Sequence, residues 1–167
     1  LTIGSFKVTP FRVTHSVPDA CGFAIDTAEG KLFHVPDYKF DWTPVDGRPF
    51  DVQRAAMLAS GGTLAVASDC LGSTHPGYTG SEKEIEERLQ PIFANAKGAI
   101  YFTTISSNIS RMQQAINVAK KLGRSVCFVG RSIERKSSIA KRLGYLDYKS
   151  NMMVNIKQAR HMNPEKL

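Results

Sequence analysis

Short runs of β-branched and aromatic residues fill the first third of the chain. They are Ile3 to Val8, Phe11 to Thr14, Gly22 to Thr27 and Lys31 to Val35. Pro10, Pro18-Asp19, Ala28-Glu29-Gly30 and Pro36 punctuate them, so the pattern predicts short strands. Ala28-Glu29-Gly30 predicts a hairpin, with Gly at the position that needs positive φ. Pro44-Val45-Asp46-Gly47 reads as a turn and Phe50 to Leu58 as a helix.

The period changes after residue 63. Leu64 to Ser68, Ala99 to Thr103 and Ser125 to Val129 read as strands. Ser81 and Glu84 predict a capping box, opening a helix with Ile85, Leu89, Ile92 and Phe93 on one face. Asn108 predicts the cap of a helix with Met112, Ala115, Ile116 and Ala119 inward and Gly123 at its end. Ile133 to Leu143 reads as a third helix, closed by Gly144. This β-α-β-α-β-α order predicts a doubly wound parallel α/β unit after a strand-rich segment. The joint lies near Ser68 to Gly80, dividing the chain into residues 1–75 and 76–167.

At 18.4 kDa, 42% apolar and 22% charged, the chain is ordinary for a globular protein. No apolar run approaches the roughly 20 residues of a membrane span. The start, Leu1-Thr2-Ile3-Gly4-Ser5-Phe6, has no signal-peptide pattern and no Met, and reads as the middle of a strand. The expectation is an internal fragment of a cytoplasmic protein. Cys21, Cys70 and Cys127 form no CxxC motif and are expected to be buried, reduced thiols.

Charge is uneven. Residues 119–167 carry 12 Lys and Arg against 3 Asp and Glu, while residues 1–118 carry 10 against 12. A basic half suggests a polyanionic partner, and a solvated helix face gives the same count. The basic residues are not interleaved with aromatics, so no stacking platform for a single strand is visible.

Three polar residues follow predicted strands. His15 follows Phe11 to Thr14, Asp37 follows the run ending at Val35, and Asp69 follows the run ending at Ser68. Working groups of α/β enzymes stand at such ends. A loop histidine and carboxylates in Asx-turns or helix caps are the plainer readings. His15 and Asp37, 22 residues apart, have the chemistry to share a divalent ion, though two ligands do not hold one. A triad of Ser16, His15 and Asp19 is disfavoured, because sequence neighbours rarely face one another in that way. His75 and His161 read as surface residues.

Thr103 to Asn108 joins a strand to a helix start, and Gly130-Arg131-Ser132 repeats the arrangement. Ser106, Ser107, Asn108, Arg111, Arg131 and Ser132 are therefore candidates for phosphate contacts. No GxGxxG or GxxxxGK[ST] is present, and plain N-capping explains the same residues.

Several phrases occur in an order that resembles the ribonuclease J family, in the β-CASP branch of the metallo-β-lactamase fold. They are Thr14-His15-Ser16-Val17-Pro18-Asp19, His34-Val35-Pro36-Asp37-Tyr38-Lys39-Phe40-Asp41 and Ser68-Asp69-Cys70-Leu71-Gly72-Ser73, followed by Pro76 to Glu82, Ser107 to Gln114 and Val129 to Arg135. The resemblance runs from about residue 10 to 146. It implies the later part of a first metallo-β-lactamase half (αββα), then the front of a β-CASP domain. It implies His15 as a zinc ligand, Asp37 as a bridge between two zinc ions, and Asp69 as a catalytic β-CASP position. Manganese or magnesium could replace zinc.

The implied reaction is two-metal hydrolysis of RNA phosphodiesters, exonucleolytic from the 5′ end and endonucleolytic, in a dimer or tetramer. A non-catalytic RNA-binding paralogue or subunit is the alternative. A third class, a related hydrolase acting on DNA or a small molecule, is disfavoured for small molecules by the basic half. Two departures stand out. Val35-Pro36 replaces the family's common Thr-Gly before the bridging Asp, so the aim of Asp37 is in question. The family's His-x-His-x-Asp-His cluster and last metal His lie outside this segment, so these residues alone are expected to bind zinc weakly and not to cut RNA.

Overall fold

A computed structural model describes all residues from Leu1 to Leu167. The chain is α/β, with one mixed five-stranded sheet, and divides into two compact units. One holds Leu1–His15 and Asp19–Glu82; the other holds Ser16–Pro18 and Lys83–Leu167. No helix is long and apolar enough to cross a membrane.

The first unit contains β1 (Thr2–Ile3), β2 (Phe6–Arg12), β3 (Cys21–Asp26), β4 (Lys31–Val35), α1 (Val52–Ala59) and β5 (Ala65–Ser68). The strands lie side by side in chain order. The first three pairings are antiparallel, and β4–β5 is parallel, with Val35 opposite Ser68. Gly4, at φ 58°, turns the expected run Ile3 to Val8 back on itself as β1 and β2. Pro10 does not end β2. It lies beyond the reach of β1, so its missing N–H interrupts no ladder on that side. The β3–β4 hairpin turns as expected: Gly30 has φ 145°, and the Thr27 hydroxyl accepts from the Glu29 and Gly30 N–H groups.

Alternation along β2 sends Phe11, and Val13 just past its end, into a core with Ala24, Phe33 and Phe50. Phe11 lies 5.6 Å from Phe33 and 6.1 Å from Phe50, ring centre to ring centre. Gly22 is the register partner of Phe11, and a Cβ there would sit 2.4 Å from Phe11 Cζ. Glycine at this site leaves room for the outer end of the buried ring.

The second unit contains α2 (Glu84–Asn95), α3 (Ile109–Lys121), α4 (Arg131–Arg142) and α5 (Ile156–Ala159). Its core joins Ile109, Met112, Ile116, Ala140 and Leu146. Asn108 caps α3 by accepting from the Arg111 N–H, and Gly123 and Gly144 adopt positive φ just past α3 and α4. The capping box expected at Ser81 does not form. The Ser81 hydroxyl donates to the Thr43 carbonyl instead, and α2 starts at Glu84 without a side-chain cap. Of the expected inner face of α2, Phe93 is buried but Ile92 is exposed. The Glu86 carboxylate accepts from Asn117 and Lys121, tying α2 to α3.

The segments Ala99 to Thr103 and Ser125 to Val129, expected as strands of a parallel sheet, form no ladder with each other. Their one β-bridge is Val126 with Met153, parallel. Strand character needs a bonded neighbour, and neither segment supplies one to the other. The cysteines are free, but none is buried: Cys70 is exposed and the other two half-buried. Burial, then the Glu134 charge, pushes the Cys127 thiol above its ordinary value.

Gly22→Ala should destabilise the chain by about 1–3 kcal/mol, the usual cost of overpacking a core. Urea unfolding of the two proteins measures it, and equal midpoints would show that the Phe11 ring moves aside freely.

Candidate functional site

Strand direction decides where the predicted residues meet. Two antiparallel steps from β2 to β4 restore the direction, and β5 runs parallel to β4. The C-terminal ends of β2, β4 and β5 therefore open on one edge of the sheet. His15 lies three residues past β2, Asp37 two past β4, and Asp69 immediately past β5. The Lys39 N–H donates to the Thr14 carbonyl at 2.8 Å, and the Asp69 N–H to the Val35 carbonyl at 2.9 Å. These two bonds tie each loop to its neighbour.

His15 Nε2 comes within 3.8 Å of Asp37 Oδ2. The His15 side chain is 33% exposed and that of Asp37 78%, so the pair faces solvent. Pro36 does not turn Asp37 away from His15. Asp69 makes a local contact as well: its Oδ1 accepts from the Leu71 N–H at 2.8 Å, an Asx-turn. No three His, Cys, Asp or Glu side chains stand close enough together to hold an ion.

The loop carrying Asp37 is fixed by a residue that sequence reasoning passed over. Asp41 is only 2% exposed. Its Oδ1 accepts from the Thr43 N–H at 3.0 Å and its Oδ2 from the Glu82 N–H at 2.8 Å. Burial raises its carboxyl, but the bonds from Glu82, Ser81 and Thr43 and the Lys39 charge outweigh burial and hold it below the ordinary carboxylate range. Lys39 Nζ donates to the Gly80 carbonyl and pairs with Glu82 at 3.1 Å. Above this loop Phe40 packs 4.8 Å from Phe50, and Tyr38 meets Phe50 edge-on at 5.9 Å. The Ser68 hydroxyl donates to Tyr38 Oη at 3.3 Å, linking the loop to the end of β5. Asp41-Trp42-Thr43 carries the Asx-turn signature, the one signal that could have marked Asp41 from sequence.

The two joints that lead into α3 and α4 also meet, within the second unit. Ser106 Oγ lies 2.9 Å from Ser132 Oγ, and Lys136 Nζ donates to Ser106 Oγ at 3.0 Å. Lys136 was not among the sequence candidates; it lies one helical turn beyond Ser132. Other members have local tasks. Asn108 caps α3, the Ser107 carbonyl accepts from the Ile109 N–H, and Arg111 Nε donates to Gln114. At the start of α4 the Gly130 N–H donates to the Glu134 carboxylate, so that helix end already faces an anionic group. Arg131 is exposed.

Residues 97–167 match the family model described as Ribonuclease J, beta-CASP domain. The chain is ribonuclease J-like. It is 37% identical over 164 residues to Ribonuclease J of Mycolicibacterium smegmatis, covering 98% of this chain and 29% of that protein. Over 147 residues it is 40% identical to Ribonuclease J of Thermus thermophilus, covering 88% of this chain and 26% of that protein. Ribonuclease J 1 of Streptococcus pyogenes is 40% identical over 146 residues, with 87% and 26% covered. The chain thus spans 26–29% of the length of these curated relatives. A solved structure of a protein of unknown function from Enterococcus faecalis matches with a TM-score of 0.63 and 11% identity, over 99% of this chain and 41% of that one. At that identity the likeness is one of fold alone.

Because the Asp41 carboxyl is lowered in the folded chain, its stabilisation is complete above the unfolded value of about 3.9. It is lost as pH falls through the lowered folded value. Asp41→Asn, which can accept at only one of the two oxygen positions, should cost about 2 kcal/mol at pH 7. It should also flatten the acid limb of stability, measured by urea unfolding from pH 7 to pH 2. An unchanged acid limb would mean that Asp41 does not hold this loop.

Proposed function

We propose that this chain forms part of a metal-dependent ribonuclease of the ribonuclease J kind, with His15 and Asp37 as ligands of its metal centre. The carrying observation is the approach of His15 Nε2 to Asp37 Oδ2, 3.8 Å, at the edge where three strands end. Two donors each about 2.0–2.2 Å from a tetrahedral ion lie about 3.3–3.6 Å apart, so a small side-chain movement lets both reach one ion. The donor types also fit: an imidazole nitrogen and a carboxylate oxygen suit zinc, and manganese or magnesium would favour the carboxylate. Asp37 has a second oxygen with which to bridge two ions, which a single imidazole nitrogen cannot do. The remaining ligands would come from other segments of the full-length protein, on a metallo-β-lactamase sheet of which β1–β5 are part.

Bound zinc would lower the pKa of a water and polarise the phosphoryl oxygen of RNA. The chain's own residues set the frame for that chemistry. Asp41 and Lys39 hold the loop that presents Asp37, and the Lys39–Thr14 bond fixes it beside the loop that presents His15. Asp69, held in its Asx-turn just past β5, would act as a catalytic carboxylate at the same edge. The metal edge spans residues 1–75 and the β-CASP part residues 76–167. There the paired joints at Ser106 and Ser132, with Lys136 and Arg131, would meet RNA phosphates through charge and hydroxyl donors. The likeness to ribonuclease J supports RNA as the substrate; to this the proposed reading adds 5′-exonucleolytic and endonucleolytic cutting, a homo-oligomer and a cytoplasmic site of action.

Loss of a partner behind a metal ligand commonly costs 10–100-fold in activity, so loss of a ligand should cost more than about 100-fold. In the full-length protein, Asp37→Ala should therefore reduce RNA cleavage beyond that factor while leaving RNA affinity within about twofold. Cleavage assays and filter binding on one labelled RNA measure both. Unchanged cleavage would remove Asp37 from the metal centre. Binding without cleavage by the unmodified full-length protein would favour the non-catalytic reading.

A further inference from the structure

A column of aromatic rings runs from the core of the first unit out to solvent. Phe50 lies 4.8 Å from Phe40, and Phe40 lies 6.4 Å from Trp42, ring centre to ring centre. The last two rings are within 21° of parallel and stacked. Exposure rises along the column, from 8% at Phe50 to 53% at Phe40 and 66% at Trp42. Trp42 has no ring neighbour besides Phe40. Two-thirds exposed, the indole adds little to the core beneath it.

The backbone under this ring is tied down on both sides. Asp41 accepts from the Thr43 N–H through one oxygen and from the Glu82 N–H through the other. The first of these bonds closes an Asx-turn with Trp42 inside it. The Ser81 hydroxyl donates to the Thr43 carbonyl at 2.8 Å, and the Thr43 hydroxyl donates to Ser81 Oγ at 2.8 Å. None of these bonds uses the Trp42 side chain. The same loop carries Asp37 five residues earlier, and its Lys39 N–H is bonded to the Thr14 carbonyl next to His15. A large planar ring thus stands in the open, on a bonded turn of the loop that presents Asp37.

The shape of the patch selects its occupant. An aliphatic patch accepts any apolar surface, whereas a stacked pair of rings presents a flat π-face whose fitting partner is another planar ring. RNA, the substrate under the reading above, supplies such rings as unpaired bases. Stacking of bases on aromatic side chains tolerates any sequence, because every base has a π-face. It needs no cation at the ring, and the loop's own Lys39 is already engaged with Gly80 and Glu82. We propose that Trp42, backed by Phe40, is a stacking shelf for one unpaired base of the RNA strand that reaches the Asp37 edge. This adds a base contact to a site otherwise made of metal ligands and phosphate donors. It rests on RNA as the substrate, and not on His15 and Asp37 holding a metal.

The test is fluorescence anisotropy of a short labelled single-stranded RNA with the full-length protein carrying Asp37→Ala. Readings in the first seconds after mixing on ice hold whether or not that form still cuts. Adding Trp42→Ala should weaken affinity by about fivefold or more, the usual loss for one stacked base. Trp42→Leu, which keeps apolar bulk without a π-face, should lose as much, and Trp42→Phe should stay within about threefold of the parent. The slope of log affinity against log salt should not change, because stacking releases no counterions. A single abasic nucleotide, moved along the RNA, should at one position cost the parent as much as Trp42→Ala does, and cost Trp42→Ala nothing further. Parent-like affinity in both Trp42→Ala and Trp42→Leu would overturn the shelf, as would a loss that no abasic position absorbs. A changed oligomeric state of Trp42→Leu at unchanged RNA affinity would overturn it too, assigning the ring to a protein interface. A parent form that binds no RNA would overturn RNA as the substrate, a result distinct from the other three.

Discussion

The parallel pairing of β4 with β5 is the constraint on which the candidate site depends. Had β5 run the other way, Asp69 would stand at the far end of the sheet from His15 and Asp37. With Val35 opposite Ser68, and β2 restored to the direction of β4 by two antiparallel steps, three loops leave one edge together. The core beneath them is small, five buried residues including Phe11, and its packing is fixed by the absence of a Cβ at Gly22. Register in β2 and β3 and the placement of His15 are thus coupled. A slip of one residue would bury Arg12 and carry Phe11 to the other face.

Edge geometry alone does not aim a side chain. Asp37 is exposed and lies in a loop that contains proline, yet it stands beside His15. The loop is held from both sides. Lys39 bonds the Thr14 carbonyl through its backbone and reaches Gly80 and Glu82 through its side chain. Asp41, a buried carboxylate satisfied by backbone donors and a nearby cation, closes the other end. This arrangement is the physical answer to the question that Pro36 raises: a fixed φ and a lost donor matter little when the flanking residues carry the loop's hydrogen bonds.

Much of this was legible in the chain because it rests on local chemistry. Asn108, Gly123, Gly144 and Gly30 act where their backbone preferences say they should, and three strand ends followed by His or Asp locate the edge. What was not legible depends on distant partners. Ser81 looked like a cap, but Thr43, 38 residues away, takes its hydroxyl. Pro10 looked like a strand end, but its position beyond β1 makes it harmless. The apolar runs at 99–103 and 125–129 have the composition of strands and lack the neighbour that would make them so. Arg124 follows a glycine that ends a helix, and nothing local shows that it is buried among backbone carbonyls.

The central claim is that His15 and Asp37 share a metal ion. Zinc content and zinc affinity of the full-length protein, measured by elemental analysis and competition with a chelator, test it most directly for the His15→Ala, Asp37→Ala and His75→Ala forms. His75 is an exposed histidine to which no metal role is assigned. The account predicts that the first two each lower bound zinc per protomer and weaken affinity by more than tenfold, and that His75→Ala does neither. Full zinc occupancy at unchanged affinity in both His15→Ala and Asp37→Ala would contradict it.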